Sequence, residues 1–350
     1  MSAITEERQH ELSLIYDSAM NLLLSLGGAS RARSLRFAPE KRDTQAWSQI
    51  CQMGWTGLLL PEERGGSAIG MRGYAKVARA AGAHLMPEPL IGAVLAARIL
   101  TGTLLDDLLQ GNRLILPAWQ EHHQVLANIE TTIQQDGNAV SGCKRFVYQG
   151  MHADAYLVLA RDEFLLVEAN DSGVSRRPIL TQDGGHFCTL EMNRATIAAR
   201  YPTSWTGFEE ATVAQAAYLL GVAETAFSMT LEYLRTREQF GRAIGSFQAL
   251  QHRAADVKIK IGLAEAALER AAAMIEDTPS LKASIAVVSR AKARCNDVAM
   301  LATREAVQMH GAIGYTDEYD VGLYLRAALT HVGLYGSSAL HRSRYGDFLI

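Results

Sequence analysis

From about residue 208 onward, apolar positions advance by alternating threes and fours. Leu250, Ala254, Val257, Ile261, Ala264, Leu268, Ala271 and Ile275 share one stripe, which predicts a long helix. Thr278 and Pro279 stop it and start the next, because proline suits a first helical position. Ile285, Val288, Ala291, Cys295, Val298, Leu301 and Ala306 carry a second stripe to Gly311, a natural C-cap. Long antiparallel helices of this kind pack as a bundle. Between about 113 and 202 the period shortens. "AVSGCKRFVYQG", "AYLVLARDEFLLVEA" and "GGHFCTLEM" are β-branched and aromatic runs, punctuated by Asp136-Gly137, Asp162-Glu163 and Gly184-Gly185. They predict antiparallel strands. Residues 1 to about 112 are helical in texture, broken by "LPEERGGSAIG" and "MPEPLIG". The chain therefore reads as α+β in three domains: a helical domain over 1–112, an antiparallel β domain over 113–202 and a four-helix bundle over 203–350.

Composition narrows the classes without naming one. A chain of 350 residues is too long for one average core, so two or three packed units are expected. The net charge of −3 gives no global field to recruit nucleic acid. Cys51, Cys143, Cys188 and Cys295 form no CxxC pair, which argues against a metal site or a disulfide framework and for a reducing cytosol. "MSAITEERQHELSLIYDSAM" lacks the basic and apolar regions of a signal peptide. No apolar run approaches the ~18 residues of a membrane span. A cytoplasmic location is expected.

"REQFGRAIGSFQALQHR", Arg237 to Arg253, interrupts the helical texture. Gly241 and Gly245 each weaken a helix interior by about 1 kcal/mol relative to alanine. Such a break exposes backbone N–H groups and a helix N-terminus to an anion. Arg237 adds a planar fork suited to phosphate, Phe240 a flat face and Gln248 an amide. These residues suit a nucleotide diphosphate. On physical grounds alone they better suit a plain hairpin between two bundle helices with a surface arginine.

The wording of two stretches resembles one family. "RTREQFGRAIGSFQALQHRAAD" is similar to the signature of the acyl-CoA dehydrogenases, flavoproteins that oxidise acyl-CoA thioesters between Cα and Cβ. "AVQMHGAIGYTDEY", Ala306 to Tyr319, resembles the family's Gln-x-x-Gly-Gly-x-Gly-Tyr segment. "SGCKRFVYQGMHADAYLVLAR" resembles more weakly the strand pair that lines the flavin. The resemblance covers most of the chain, and it implies FAD as cofactor. It carries Arg237, Phe240 and Gln248 onto the residues that reach the FAD of a neighbouring subunit. Gln308, His310, Gly311 and Gly314 fall where the adenosine end of the same FAD is held. Ala312 replaces the family's second glycine and fits if its φ is negative. Phe146 and Tyr148 fall where a flavin-facing Trp and Thr lie.

The same resemblance shows what is missing. The chemistry needs a carboxylate near Cα in a dry pocket, where burial raises its pKa. In most members this is the glutamate of a Tyr-Glu-Gly-Thr turn. Here the stretch is "HVGLYGSSALHR", with Tyr335 aligned and Gly336 at the glutamate. Other members carry the base on the first bundle helix, where Ala211 stands here and Thr212 replaces an arginine. Glu209 and Glu210 lie just upstream, rotated from that face by roughly 100–200°. A one-residue change of register would bring in Glu210, the remaining candidate base. The plainer reading of both is a favourable charge near a helix N-terminus. The flavin loop Thr-Glu-Pro-x-x-Gly-Ser-Asp matches "WQEHHQVLA", which keeps only Glu121; Trp119 reads as core, and His122 and His123 as solvated.

A kept half that serves a neighbour's FAD and a damaged catalytic half resemble the short subunits of heteromeric dehydrogenases for steroid and other bulky acyl-CoAs. Those subunits end in a G-x-x-x-x-H turn, which Gly336 to His341 fits. The leading expectation is a partner subunit that completes an FAD site beside a longer homologue, with electron-transfer flavoprotein as acceptor. A self-sufficient homo-oligomer with an unrecognised base is the second. A helical scaffold that has lost flavin is the third.

Overall fold

The computed structural model describes residues 5–37, 42–122, 131–278 and 281–348. The chain forms two compact units, cut differently from the three textures of the sequence. One gathers Met1–Arg33, Met71–Met86 and Thr212–Ile350; the other gathers Ser34–Gly70 and Pro87–Ala211.

Helices come first: α1 (Glu6–Ser25), α2 (Gly28–Leu35), α3 (Thr44–Gln52), α4 (Gly70–Ala83), α5 (Leu90–Ile99) and α6 (Thr103–Leu109). Thr5 caps α1 by accepting from Arg8 N at 3.3 Å, and Asp43 caps α3 by accepting from Ala46 N at 2.9 Å. Eight strands follow: β1 (Ile115–Ala118), β2 (Gln134–Asp136), β3 (Ala139–Tyr148), β4 (Ala155–Ala160), β5 (Glu163–Glu168), β6 (Val174–Leu180), β7 (His186–Thr196) and β8 (Ala199–Pro202).

The strands make two four-stranded sheets, in the orders β1-β4-β5-β8 and β2-β3-β7-β6. Among the described residues these pairings are antiparallel except β1 with β4, which is parallel. The expectation of a wholly antiparallel domain needs that correction. Its cause is topological. Between β1 and β4 the chain crosses to the other sheet to lay down β2 and β3, and a long crossover permits parallel pairing. Trp119 is buried edge-on to Phe208 at 5.4 Å, and Phe208 stacks with Phe164 at 6.2 Å. Trp119 is thus core, as read from the sequence.

The last part is α7 (Trp205–Thr236), a two-strand hairpin β9 (Glu238–Gln239) and β10 (Arg242–Ala243), α8 (Gln248–Asp277), α9 (Leu281–His310), α10 (Val321–His331) and α11 (Ser338–Asp347). Ala254, Val257, Ile261, Ala264, Leu268 and Ala271 are buried on α8, so the predicted stripe is its inner face. Val288, Ala291, Cys295, Val298 and Ala306 are buried on α9. Pro279, expected to open α9, lies outside the described residues. A β-carbon on Gly82 would stand 1.9 Å from the Tyr218 carbonyl oxygen, and one on Gly221 would stand 2.0 Å from that of Arg79. The two glycines let α4 and α7 touch backbone to backbone. Beside this crossing Arg79 bonds Glu224 through Nε at 2.6 Å and Glu265 at 2.8 Å.

Candidate functional site

The helix break is a tight hairpin. Glu238 pairs with Ala243 and Gln239 with Arg242, leaving Phe240 and Gly241 as a two-residue loop. Both have positive φ, +55° and +78°, which is the mirror-image turn that matches strand twist. Glycine suits the second position. Phenylalanine at the first is uncommon, because a β-carbon crowds the backbone there. Its ring is 92% exposed, edge-on to Phe247 at 6.1 Å. The Ile244 N–H donates to the Arg237 carbonyl at 2.8 Å and closes the hairpin onto the end of α7. Phe247 precedes α8 with no side-chain cap, so the α8 N-terminus beside Gln248 is open. Arg237 and Gln248 are exposed.

The second motif closes α9. Gly311 has φ +66°, as a C-cap requires, and a short 3-10 turn runs on to Tyr315 with Gly314 buried inside it. Gln308 is exposed, and Ala312 is exposed without a positive φ, so its methyl group is tolerated. His310 is buried. Its Nδ1–H donates to the Ala306 carbonyl at 2.7 Å, which leaves Nε2 an acceptor, buried and without a hydrogen-bond partner among the described residues. Burial lowers its pKa, so the ring is neutral. It stacks on Tyr233 at 4.4 Å and lies 4.8 Å from Tyr319. Tyr233 sits one helical turn before Arg237, so the two motifs meet through this ring stack. Tyr233 escaped the sequence reading because nothing in its local pattern separates it from bundle core.

Phe146 and Tyr148 lie in the other unit. A bulge in β3 between Lys144 and Val147 gives Phe146 a φ of +59°, and both rings stand half-exposed 6.0 Å from Phe187. Glu121 does not present a free carboxylate. It is buried and bonded to Lys144 Nζ at 2.6 Å, to Thr131 Oγ1 at 2.6 Å and to Thr132 N at 2.8 Å. Burial alone would raise its pKa, but these partners outweigh it and hold the carboxyl at about 2. His122 is exposed, and His123 lies outside the described residues.

At the candidate base positions the chain offers no free carboxylate. Tyr335 and Gly336 have φ of +55° and +107°. A β-carbon on Gly336 would stand 2.6 Å from His341 Nε2 and 2.9 Å from Leu340 Cδ2. His341 is fully buried, and its Nε2–H donates to the Tyr335 carbonyl at 2.7 Å. Burial first, then the nearby Lys292, push its pKa down to about 3. Ala211 is buried on α7. Glu210 beside it is gripped by the Arg98 fork, Nε to Oε2 at 3.0 Å and Nη2 to Oε1 at 3.2 Å. Burial raises its pKa while Arg98 pulls the other way.

Residues 202–350 match the family model "Acyl-CoA dehydrogenase, C-terminal domain". The acyl-CoA dehydrogenase IpdE2 of Mycolicibacterium smegmatis is 30% identical over 82% of this chain and 82% of its own. The chain belongs to the acyl-CoA dehydrogenase family. IpdE2 of Mycobacterium tuberculosis is 29% identical over 92% of this chain and 91% of its own. A chain of the ChsE4-ChsE5 complex from Mycobacterium tuberculosis superposes with a TM-score of 0.87 at 26% identity, covering 100% of this chain and 99% of that one. The family's members are oxidoreductases acting on CH–CH bonds, and their cofactor is FAD. These groups suit such a dinucleotide. Arg237 offers charge for a diphosphate, Phe240 a ring face, and the buried Nε2 of His310 an acceptor awaiting a donor.

Proposed function

We propose that this chain is the partner subunit of a heteromeric acyl-CoA dehydrogenase, completing an FAD site beside a longer homologous subunit while lacking a base of its own. Dehydrogenation removes a proton from Cα and a hydride from Cβ of the thioester. FAD, when bound, supplies the hydride acceptor. Arg237 and Gln248 bind the dinucleotide held mainly by the neighbour, Phe240 lies against it, and Gln308, His310, Gly311 and Gly314 hold its adenosine end. Phe146 and Tyr148 stand where a flavin face would rest. The Tyr335–His341 turn borders the acyl group. The α-proton goes to a carboxylate of the partner.

One observation carries this reading: the place of a side chain at Gly336 is already filled by His341. Ala211 and the Arg98-bound Glu210 offer no substitute. The likeness to the ChsE4-ChsE5 complex and to the Tcur3481-Tcur3483 steroid ACAD, with a TM-score of 0.88 at 25% identity, supports a heteromer acting on a bulky acyl-CoA. Electron-transfer flavoprotein is the acceptor that this reading calls for. The experiment is to express the chain alone and with a longer homologue, then count flavin per chain. Stable flavin only in the joint preparation supports the reading. Full flavin in the lone chain, assembled with itself, sinks it.

One observation favours a second reading, a self-sufficient enzyme. Glu210 is buried with a raised pKa, as catalytic carboxylates are. The Arg98 fork opposes it, because a general base needs a free oxygen within reach of the proton.

A further inference from the structure

A lysine amine lies buried beneath the Tyr335–Gly336 turn. Lys292, on α9, is fully inaccessible. Its Nζ donates to Asn296 Oδ1 at 2.6 Å, to the Gly336 carbonyl at 3.2 Å and to the Val332 carbonyl at 3.5 Å. In its protonated form the amine has three N–H groups, and three acceptors meet it. Asn296, one helical turn further on, donates Nδ2 to the same Gly336 carbonyl at 3.2 Å. That carbonyl therefore takes two donors from one face of α9.

Among the described residues no carboxylate bears on this amine. Burial pushes its pKa down to about 7, and Cys295 alone pulls it back. Buried lysines are rare without an anionic partner, and an apolar side chain of similar size is often more stable in such a place. The residue thus needs a reason other than stability. The turn above it supplies one. Tyr335 there holds a positive φ, and such strain persists only where the surroundings over-determine it. Lys292 and Asn296 grip the turn from α9, while His341 grips it from α11 through the Tyr335 carbonyl.

We propose that Lys292 is a positioning residue which, with Asn296, holds the Gly336 carbonyl and so fixes the turn against which the acyl group of the acyl-CoA rests. This builds on the placement proposed above for the turn. Asn296 sets the direction of the amine, because its Oδ1 takes one N–H and its own amide shares the target carbonyl. Sequence alone hides the device, since a lysine beside an apolar stripe reads as a solvated charge.

The test uses the assembled, flavin-loaded enzyme with Lys292→Met and Lys292→Gln. Hydrogen exchange over residues 332–341 reads the turn, and calorimetry reads acyl-CoA affinity. Lys292→Met is expected to speed exchange there and weaken acyl-CoA binding about ten-fold, with FAD content unchanged. Lys292→Gln, which keeps an N–H donor, is expected to recover part of both. Unchanged exchange in Lys292→Met overturns the grip itself. Faster exchange with unchanged acyl-CoA affinity places the turn away from the acyl group, which removes that placement and the positioning role together. If Lys292→Met fails to assemble, Asn296→Ala removes one of the two donors. It is expected to shift exchange and affinity the same way by less, and no shift overturns the proposal.

Discussion

Nε2 of His341 stands 2.6 Å from the point where a β-carbon on Gly336 would sit, and it donates to the Tyr335 carbonyl from there. The imidazole holds the seat that a catalytic side chain on this turn would need. The φ of +107° at Gly336 adds backbone strain to any replacement. Gly336→Glu is therefore expected to destabilise the protein, by roughly 1–3 kcal/mol or more for overpacking, and to add no turnover. Thermal unfolding and steady-state assays read both. A stable variant with new activity would mean that the turn can reopen.

Phe240 holds a left-handed conformation with its ring in solvent, at a cost of about 1–2 kcal/mol. Phe240→Gly is expected to leave the melting temperature unchanged or slightly raised while weakening FAD binding by the assembled enzyme. Loss of stability with full flavin affinity would make Phe240 a structural residue.

On the placement proposed above, Arg237→Ala removes a charge-assisted contact to the dinucleotide worth roughly 1.5–3 kcal/mol. Flavin content of the assembled enzyme is expected to fall, and its dependence on salt to weaken, because the contact removed is the charged one. Unchanged flavin affinity would remove Arg237 from the site.

The helix stripes, the change of texture near 113 and the two glycine-bearing motifs were legible because each is a local pattern. Ala254 to Ala271 line the inner face of α8 as their spacing requires. What stayed hidden depends on distant partners. Glu121 has the residue type of a flavin-loop acid, but Lys144 and two threonines make it a buried ion pair. Glu210 has the residue type of a base, but Arg98 on α5 claims both oxygens. No spacing rule predicts that Gly82 and Gly221 bring two backbones together.

That crossing gives a stability prediction. A methyl group on Gly82 would lie 1.9 Å from the Tyr218 carbonyl oxygen, a rigid backbone atom. Gly82→Ala is expected to cost at least the upper end of the roughly 1–3 kcal/mol typical of overpacking. Denaturant unfolding measures it, and a change below about 0.5 kcal/mol would contradict the packing.

Lys292 sets a pH dependence. Its folded pKa of about 7 lies below the ordinary 10.5, so between these values the unfolded chain holds a proton that the folded chain lacks. Stability of the wild type then rises with pH across that window, and the penalty is full below pH 7. Cys295 on α9 and His341 on α11 face the amine. One has its pKa raised to about 12 and the other lowered to about 3, so neither charges in this range. The melting temperature of Lys292→Met relative to wild type is expected to fall steadily from pH 7 to pH 9. A flat difference would contradict the buried titration.

The central claim is that this chain lends residues to an FAD site but carries no base. The direct measurement is anaerobic mixing of the lone chain, saturated with FAD, with a series of acyl-CoAs, following flavin absorbance. A positioned carboxylate is typically worth 10²–10⁴-fold in rate, so no reduction is expected on the time scale of the assembled enzyme. Rapid reduction that disappears in Glu210→Gln would contradict the claim and make Glu210 the base.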